Sequence, residues 1–267
     1  MKNLFLAALI VGNVTGGAAL ADDAETEAAL TELADTFARG FYARDPEMVL
    51  STVHPELSKI GVTENYWGTG IQIIEQLPPG TLQALGSVYN YNHRLDPVTS
   101  TVGVNFFEST ESMGLLRLTA DQDWYDYFLG THINGEWVFI NCAYGGYSLI
   151  DNPNREADMA LIDDVVSGYA AGWDAGEYAP VIAAMYPDAD RRHVVRGGRR
   201  EYLQPETLEM IEIELEERGV AEQASTVTVF EATQRTGAAR IDAADRTEWG
   251  LLPKLNDRRQ IVNSYLE

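Results

Sequence analysis

His54, Asp126 and Lys59 are the first constellation of this chain whose types together could move a proton. An imidazole close to a carboxylate acts as a general base because both groups titrate near enough to neutrality to exchange protons. Asp126 shares a strand face with Trp124 and Phe128, and an apolar wall there raises a carboxyl pKa. The alternative is structural: His54 ends its helix, and Asp126 pairs with Lys59 or a backbone donor. Both readings stay open at this level.

Other chemistry is thinner. Tyr89-Asn90-Tyr91-Asn92-His93, with Tyr66-Trp67, offers polar aromatic surface that can line a pocket mouth and stack a flat ligand, or simply form an edge strand. Arg191, Arg192, Arg196, Arg199 and Arg200 suit an anionic ligand, or an ion-pair face with Glu209, Glu212, Glu214, Glu216 and Glu217 on the next helix. His54, His93, His132 and His193 are scattered without metal-ligand spacing, and Asp121/Asp123 and Asp188/Asp190 lack a full calcium loop. No glycine-rich phosphate loop or nucleophile elbow is present, so no cofactor or metal is expected. Cys142, the only cysteine, cannot form an internal disulfide and reads as a buried, inert thiol.

The elements that must position these groups come twice. With Pro55 set on Pro187, Leu30, Leu33, Ala34, Phe37 and Phe41 fall on Ile162, Val165, Val166, Tyr169 and Trp173. Each series recurs at helical spacing. Asp45-Pro46 starts a second short helix to Val53 that His54-Pro55 ends. A third helical stretch spans roughly 71–85, interrupted by Pro78-Pro79-Gly80. Strands follow from 102, with Asn134-Gly135 turning a hairpin and Asn256-Asp257 at the matching place in the second copy. The second copy repeats the order: helices to Trp173, to Met185 and over 205–218, then four strands. The expected class is α+β: two tandem domains, 23–146 and 155–267, each with about three helices on a curved antiparallel sheet. Trp124–Leu129 is large on both faces, so the second sheet or another copy of the chain should cover its outer side, as an internal pseudo-dimer or a homodimer.

Lys2, the apolar run Leu4–Val11 and Ala19-Leu20-Ala21 read as a signal peptide over 1–21, cleaved after Ala21 to give a periplasmic or secreted protein. That run is too short to span a membrane. The formal net charge of −22 repels nucleic acid and anionic lipid, so neither is an expected partner.

GFYARD at the end of the first helix, VHPEL, DYFLG and the hairpin INGEWVFIN resemble the nuclear-transport-factor-2-like (NTF2-like) superfamily, in its SnoaL-like and lumazine-binding-like branch. The resemblance covers nearly all of 25–145 and, more faintly, 156–267. It implies a cone whose helices and sheet enclose a pocket, and pairing through sheets. His54 and Asp126 match polar positions of that branch; the second copy has Tyr186 and Glu248 there, and Arg259 in place of Trp137. The expected function is binding of a small, partly aromatic ligand in the first cone, lined by Tyr66, Trp67, Tyr89, Tyr91, His93, Trp124 and Phe128. The alternatives are a SnoaL- or ketosteroid-isomerase-like enzyme using His54 and Asp126, and an interaction module without a ligand.

Overall fold

The computed structural model describes residues 23–64, 71–121 and 123–267. The expected signal segment 1–21 and Tyr66-Trp67 lie outside the described residues.

Helix α1 (Asp23–Ala43) buries Leu30, Ala34, Phe37 and Phe41 of the stripe read from the sequence, with Leu33 half-buried and Ala38 joining them. Asp45 caps α2 (Pro46–Ser51), accepting from the backbone N–H of Glu47 and Met48. Strand β1 (Val53–Glu64) begins at once, then come β2 (Gln72–Gln76) and α3 (Pro79–Val88). The first copy ends with β3 (Val102–Ser109), β4 (Met113–Ala120), β5 (Trp124–Ile133) and β6 (Glu136–Gly146).

The second copy repeats this with α4 (Arg155–Ala175), α5 (Tyr178–Ala184), β7 (Met185–Val195), β8 (Tyr202–Glu206) and α6 (Leu208–Arg218). It closes with β9 (Thr226–Ala232), β10 (Gly237–Asp242), β11 (Thr247–Leu251), the short β12 (Lys254–Leu255) and β13 (Arg258–Arg259), and β14 (Ile261–Leu266). The six-stranded sheets run β2-β1-β6-β5-β4-β3 and β8-β7-β14-β11-β10-β9, the same order twice. Each copy is thus an α+β cone, with helices over one face of its sheet.

Three expectations are corrected. His54-Pro55 does not merely end a helix: α2 stops at Ser51, and both residues belong to β1. Proline is tolerated there because β2 pairs only with Ile60–Glu64 and the pairing with β6 shifts register between Val53 and Ser58. The stretch 71–85 is not one helix, since Pro78-Pro79 separates β2 from α3 and Pro79 takes the first turn. Likewise Pro205 lies in β8, and α6 starts at Leu208 behind the Thr207 cap. Each sheet therefore has six strands rather than four, with β1 parallel to β6 and β7 parallel to β14.

Side chains of β5 face two cores. Phe128 packs in the core under α1 and α3, with Trp124 at its margin. Tyr125, Tyr127 and Leu129 point the other way, into a cluster shared with Trp249, Leu251 and Tyr265 of the second sheet. Polar contacts pin that face: Tyr125 Oη lies 2.7 Å from Thr233 Oγ1, Tyr127 donates to Glu231 at 2.5 Å, and Ser58 donates to Asn263 at 2.9 Å. The two sheets pack on each other as an internal pseudo-dimer. No helix among the described residues is long and apolar enough to cross a membrane.

Candidate functional site

The first cone contains a cavity of about 130 Å³. Helix α1 contributes Phe37 and Phe41, one turn apart on its buried stripe. Leu82 of α3 closes one wall, while Leu85 and Tyr89 stand at the more exposed rim. Trp124 and Asp126, two apart on β5, project from the same strand face, and Tyr144 projects from β6. The Tyr144 ring lies directly over Gly61 of β1, where any Cβ would come within 2.4 Å of it. Its hydroxyl donates to Glu75 at 2.6 Å, which fixes the ring in the wall.

At the floor Lys59 Nζ sits 2.5 Å from Asp126 Oδ2 and 3.1 Å from Cys142 Sγ. Lysine and aspartate are only 6 % and 1 % exposed. The ammonium is also ringed by Tyr144, Phe128, Phe37 and Trp124, with centroids 5.0 to 5.8 Å away, a set of cation–π contacts that offsets part of its desolvation. Burial lowers the Lys59 pKa, but Asp126 and Cys142 outweigh it and hold it above the ordinary lysine value. Burial raises the Asp126 carboxyl above the ordinary aspartate range, with Lys59 opposing. The Cys142 thiol is pushed well up by burial and stays protonated. Asp126 Oδ1 is buried and makes no full hydrogen bond, with only the weak donor of the protonated Cys142 thiol acting on the carboxylate, an arrangement that costs up to about 1–3 kcal/mol unless something stronger donates to it.

Of the residues read from the sequence, Asp126, Trp124 and Tyr89 line this cavity. His54 does not: its Nδ1 accepts from the Glu56 backbone N–H at 3.1 Å, and burial lowers its pKa. No imidazole–carboxylate pair forms with Asp126. Phe128 is wholly buried core, stacked on Phe139 at 4.1 Å. The run Tyr89–His93 is a turn after α3, held by buried Asn90, which donates to Tyr42 and Leu95 carbonyls. Tyr91 is therefore 73 % exposed and His93 also faces solvent. Lys59 belongs to the site itself. Its sequence signal is rarity: lysine stands at 2, 59 and 254 only, and Lys59 lies in a largely apolar strand.

In the second cone the same register positions carry charge. Arg191 pairs with Ser264 as Lys59 does with Cys142, and Glu248 pairs with Leu266 as Asp126 does with Tyr144. Leu77, which donates to the Lys59 carbonyl, is replaced by Glu206 opposite Arg191. Counting from the helix caps Pro78 and Thr207, Leu85 becomes Glu214 and Tyr89 becomes Arg218. Trp124 becomes Arg246. Fully buried Arg191 is bound to Glu206, lies 3.1 Å from Glu248 and 3.3 Å from Glu214, and Tyr169 donates to Glu248 at 2.8 Å. Arg191 and Arg246 both lie against the Trp173 ring, at 4.7 and 4.0 Å. Arg191, Glu248 and Tyr169 thus fill the floor of the second cone, while Glu206, Glu214, Arg218 and Arg246, at the positions of Leu77, Leu85, Tyr89 and Trp124, line a wider charged opening of about 690 Å³. The arginine cluster is accordingly not one surface: Arg191 and Arg192 are buried, Arg196 pairs with Glu201 at 2.8 Å, and Arg199 and Arg200 are exposed. Among the described residues no group of three or more His, Cys, Asp or Glu is placed to hold a metal ion.

Fold and cavities together define a tandem-cone α+β protein whose first cone holds an aromatic-walled cavity and whose second is floored and lined by charge. No protein family matches the chain, nor does any curated protein. Among solved structures the chain is similar to an NTF2-like protein of unknown function from Shewanella baltica OS155, with 15% identity and a TM-score of 0.39 over 43% of this chain and 97% of that one. It is similar also to an NTF2-like protein of unknown function from Methylobacillus flagellatus KT, with 20% identity and a TM-score of 0.36 over 41% and 90%. A protein of unknown function with a cystatin-like fold from Nostoc punctiforme PCC 73102 matches at 17% identity and a TM-score of 0.29 over 44% and 88%.

Proposed function

We propose that this is an exported binding or accessory protein that holds a small, partly aromatic molecule in the first cone. The domain limits 23–146 and 155–267, the signal segment 1–21 and a periplasmic or secreted address belong to the same proposal, as does descent from the SnoaL-like, lumazine-binding-like branch. The observation that carries it is Asp126 Oδ1, a buried acceptor without a full hydrogen bond beside an aromatic-walled cavity. Buried polar atoms in a finished core are satisfied; one left open at a cavity is a ligand contact in waiting.

Binding is favoured over proton transfer by His54 and Asp126, because a general base and its partner must reach one substrate atom. His54 is turned onto its own backbone instead. A module without a ligand would have both cones filled by side chains, whereas the first keeps an aromatic-walled cavity.

Mass spectrometry of small molecules released from the natively expressed protein tests the reading, with Leu82→Trp as the filled-cavity control. A molecule carried by the wild type and absent from Leu82→Trp supports it. Identical extracts from the two proteins refute it.

A further inference from the structure

Resting on the binding reading above, we infer that the ligand of the first cone is a neutral single ring, or an apolar group of that size, bearing one hydroxyl-like group that both donates and accepts a hydrogen bond.

Size comes first. A cavity of about 130 Å³ is close to the roughly 150 Å³ apolar cavity that accepts one benzene ring. Fused bicyclic rings exceed it unless Leu82 and Phe37 give way, and both are fully buried in the core. Flavin-like and polycyclic ligands would have to stand mostly outside it, past Leu85 and Tyr89 at the exposed rim.

Charge comes second. Lys59 and Asp126 neutralise each other at 2.5 Å, and further walls are Phe37, Leu82, Trp124 and Tyr144. A second buried ion would have no counter-charge and would have to shed its water unpaid by any partner. The cation position inside the aromatic ring set is already taken by Lys59, whose Nζ lies 5.0 Å from the Tyr144 centroid and 5.8 Å from that of Trp124. An amine ligand is thus repelled where aromatic walls alone would attract it.

The polar contact comes third. Asp126 Oδ1 offers an unused acceptor. An ammonium has three donors, and Asp126 and Cys142 take two of those on Lys59. A hydroxyl answers both at once, giving its proton to Oδ1 and receiving one from Nζ. Bonds to charged groups are the strong class, so the hydroxyl should dominate selectivity.

The test is a methyl NMR titration of the whole protein, following Leu82 and Leu85, with toluene, phenol, 2-naphthol and benzylammonium. Phenol is expected to bind about tenfold or more tighter than toluene, the scale of one charge-assisted hydrogen bond, and 2-naphthol and benzylammonium more weakly than phenol. The double variant Lys59→Met/Asp126→Leu, which removes both charges together, is expected to keep toluene and lose the phenol preference. Toluene equal to phenol, 2-naphthol equal to phenol, or benzylammonium tighter than phenol in the wild type overturns this inference while leaving a binding cone intact. So does a double variant that still prefers phenol. No methyl shift with any of the four compounds overturns the binding reading as well.

Discussion

Lys59 and Arg191 stand at one register position of the two sheets, beside Cys142 and Ser264, and each turns onto a carboxylate two strands away, Asp126 or Glu248. The lysine's compact head leaves a cavity under aromatic walls. The arginine's broad fork, held by Glu206 and Glu214, fills the floor of the second cone beneath a wider charged opening.

Breaking the first pair from one side should be costly. Lys59→Met leaves Asp126 buried without a counter-ion and should destabilise the protein by about 3–5 kcal/mol, whereas Lys59→Met/Asp126→Leu should return close to wild-type stability. Urea melts of the three proteins check this; equal losses for the single and double variants would contradict it.

Arg191→Met should be at least as damaging, at about 3–5 kcal/mol, because it strands Glu206 and Glu248 together in the second cone. The same melts apply. A loss below about 1 kcal/mol would mean the network is solvated rather than a buried plug.

The two cones should answer acid in opposite senses. Burial would raise Glu248, but Arg191 and Arg246 outweigh it and hold its carboxyl below the ordinary value of 4.5. A carboxyl lowered by folding contributes stability above its unfolded pKa, and that contribution is lost as pH falls through the folded pKa. Asp126 is raised above 3.8, chiefly by burial, so the folded state takes up a proton there more readily than the unfolded chain and this group alone gains stability on acidification. Replacing Glu248 and Arg191 together by Leu and Met should therefore flatten the acid limb of the stability profile, while Lys59→Met/Asp126→Leu should steepen it. Unchanged acid limbs in both would refute the assignment.

The face between the sheets should be the stability centre shared by both copies. Trp249 is wholly buried there, stacked on Phe230 at 6.0 Å. Trp249→Ala should cost about 3–5 kcal/mol and speed hydrogen exchange in both sheets. Faster exchange confined to the second copy would argue against a shared core.

Much of this was legible in the sequence because it rests on periodicity and turns. The α1 and α4 stripes, the β3–β6 run and the left-handed turn Asn134-Gly135 all follow from local patterns. The covering of Tyr125, Tyr127 and Leu129 followed from a strand with two apolar faces. Strands β1 and β7 were not legible, since Pro55 and Pro187 interrupt both and neither alternates cleanly. The site was half legible. Asp126 and Trp124 were marked by their shared face and Lys59 was named beside Asp126, but nothing local showed that His54 stands away from them, with its Nδ1 on the Glu56 backbone. Convergence of β1, β5 and β6 on one floor depends on strand order, which no local pattern encodes.

The contrast most in need of a test is an empty apolar cavity in the first cone against a charge-filled floor in the second. Xenon occupies empty apolar cavities, so diffraction from a xenon-pressurised crystal reads the contrast directly. The predicted result is a xenon peak between Phe37, Leu82 and Trp124, and none around Trp173 and Arg191. A peak in the second cone equal to that in the first, or no peak between Phe37 and Trp124, would contradict it.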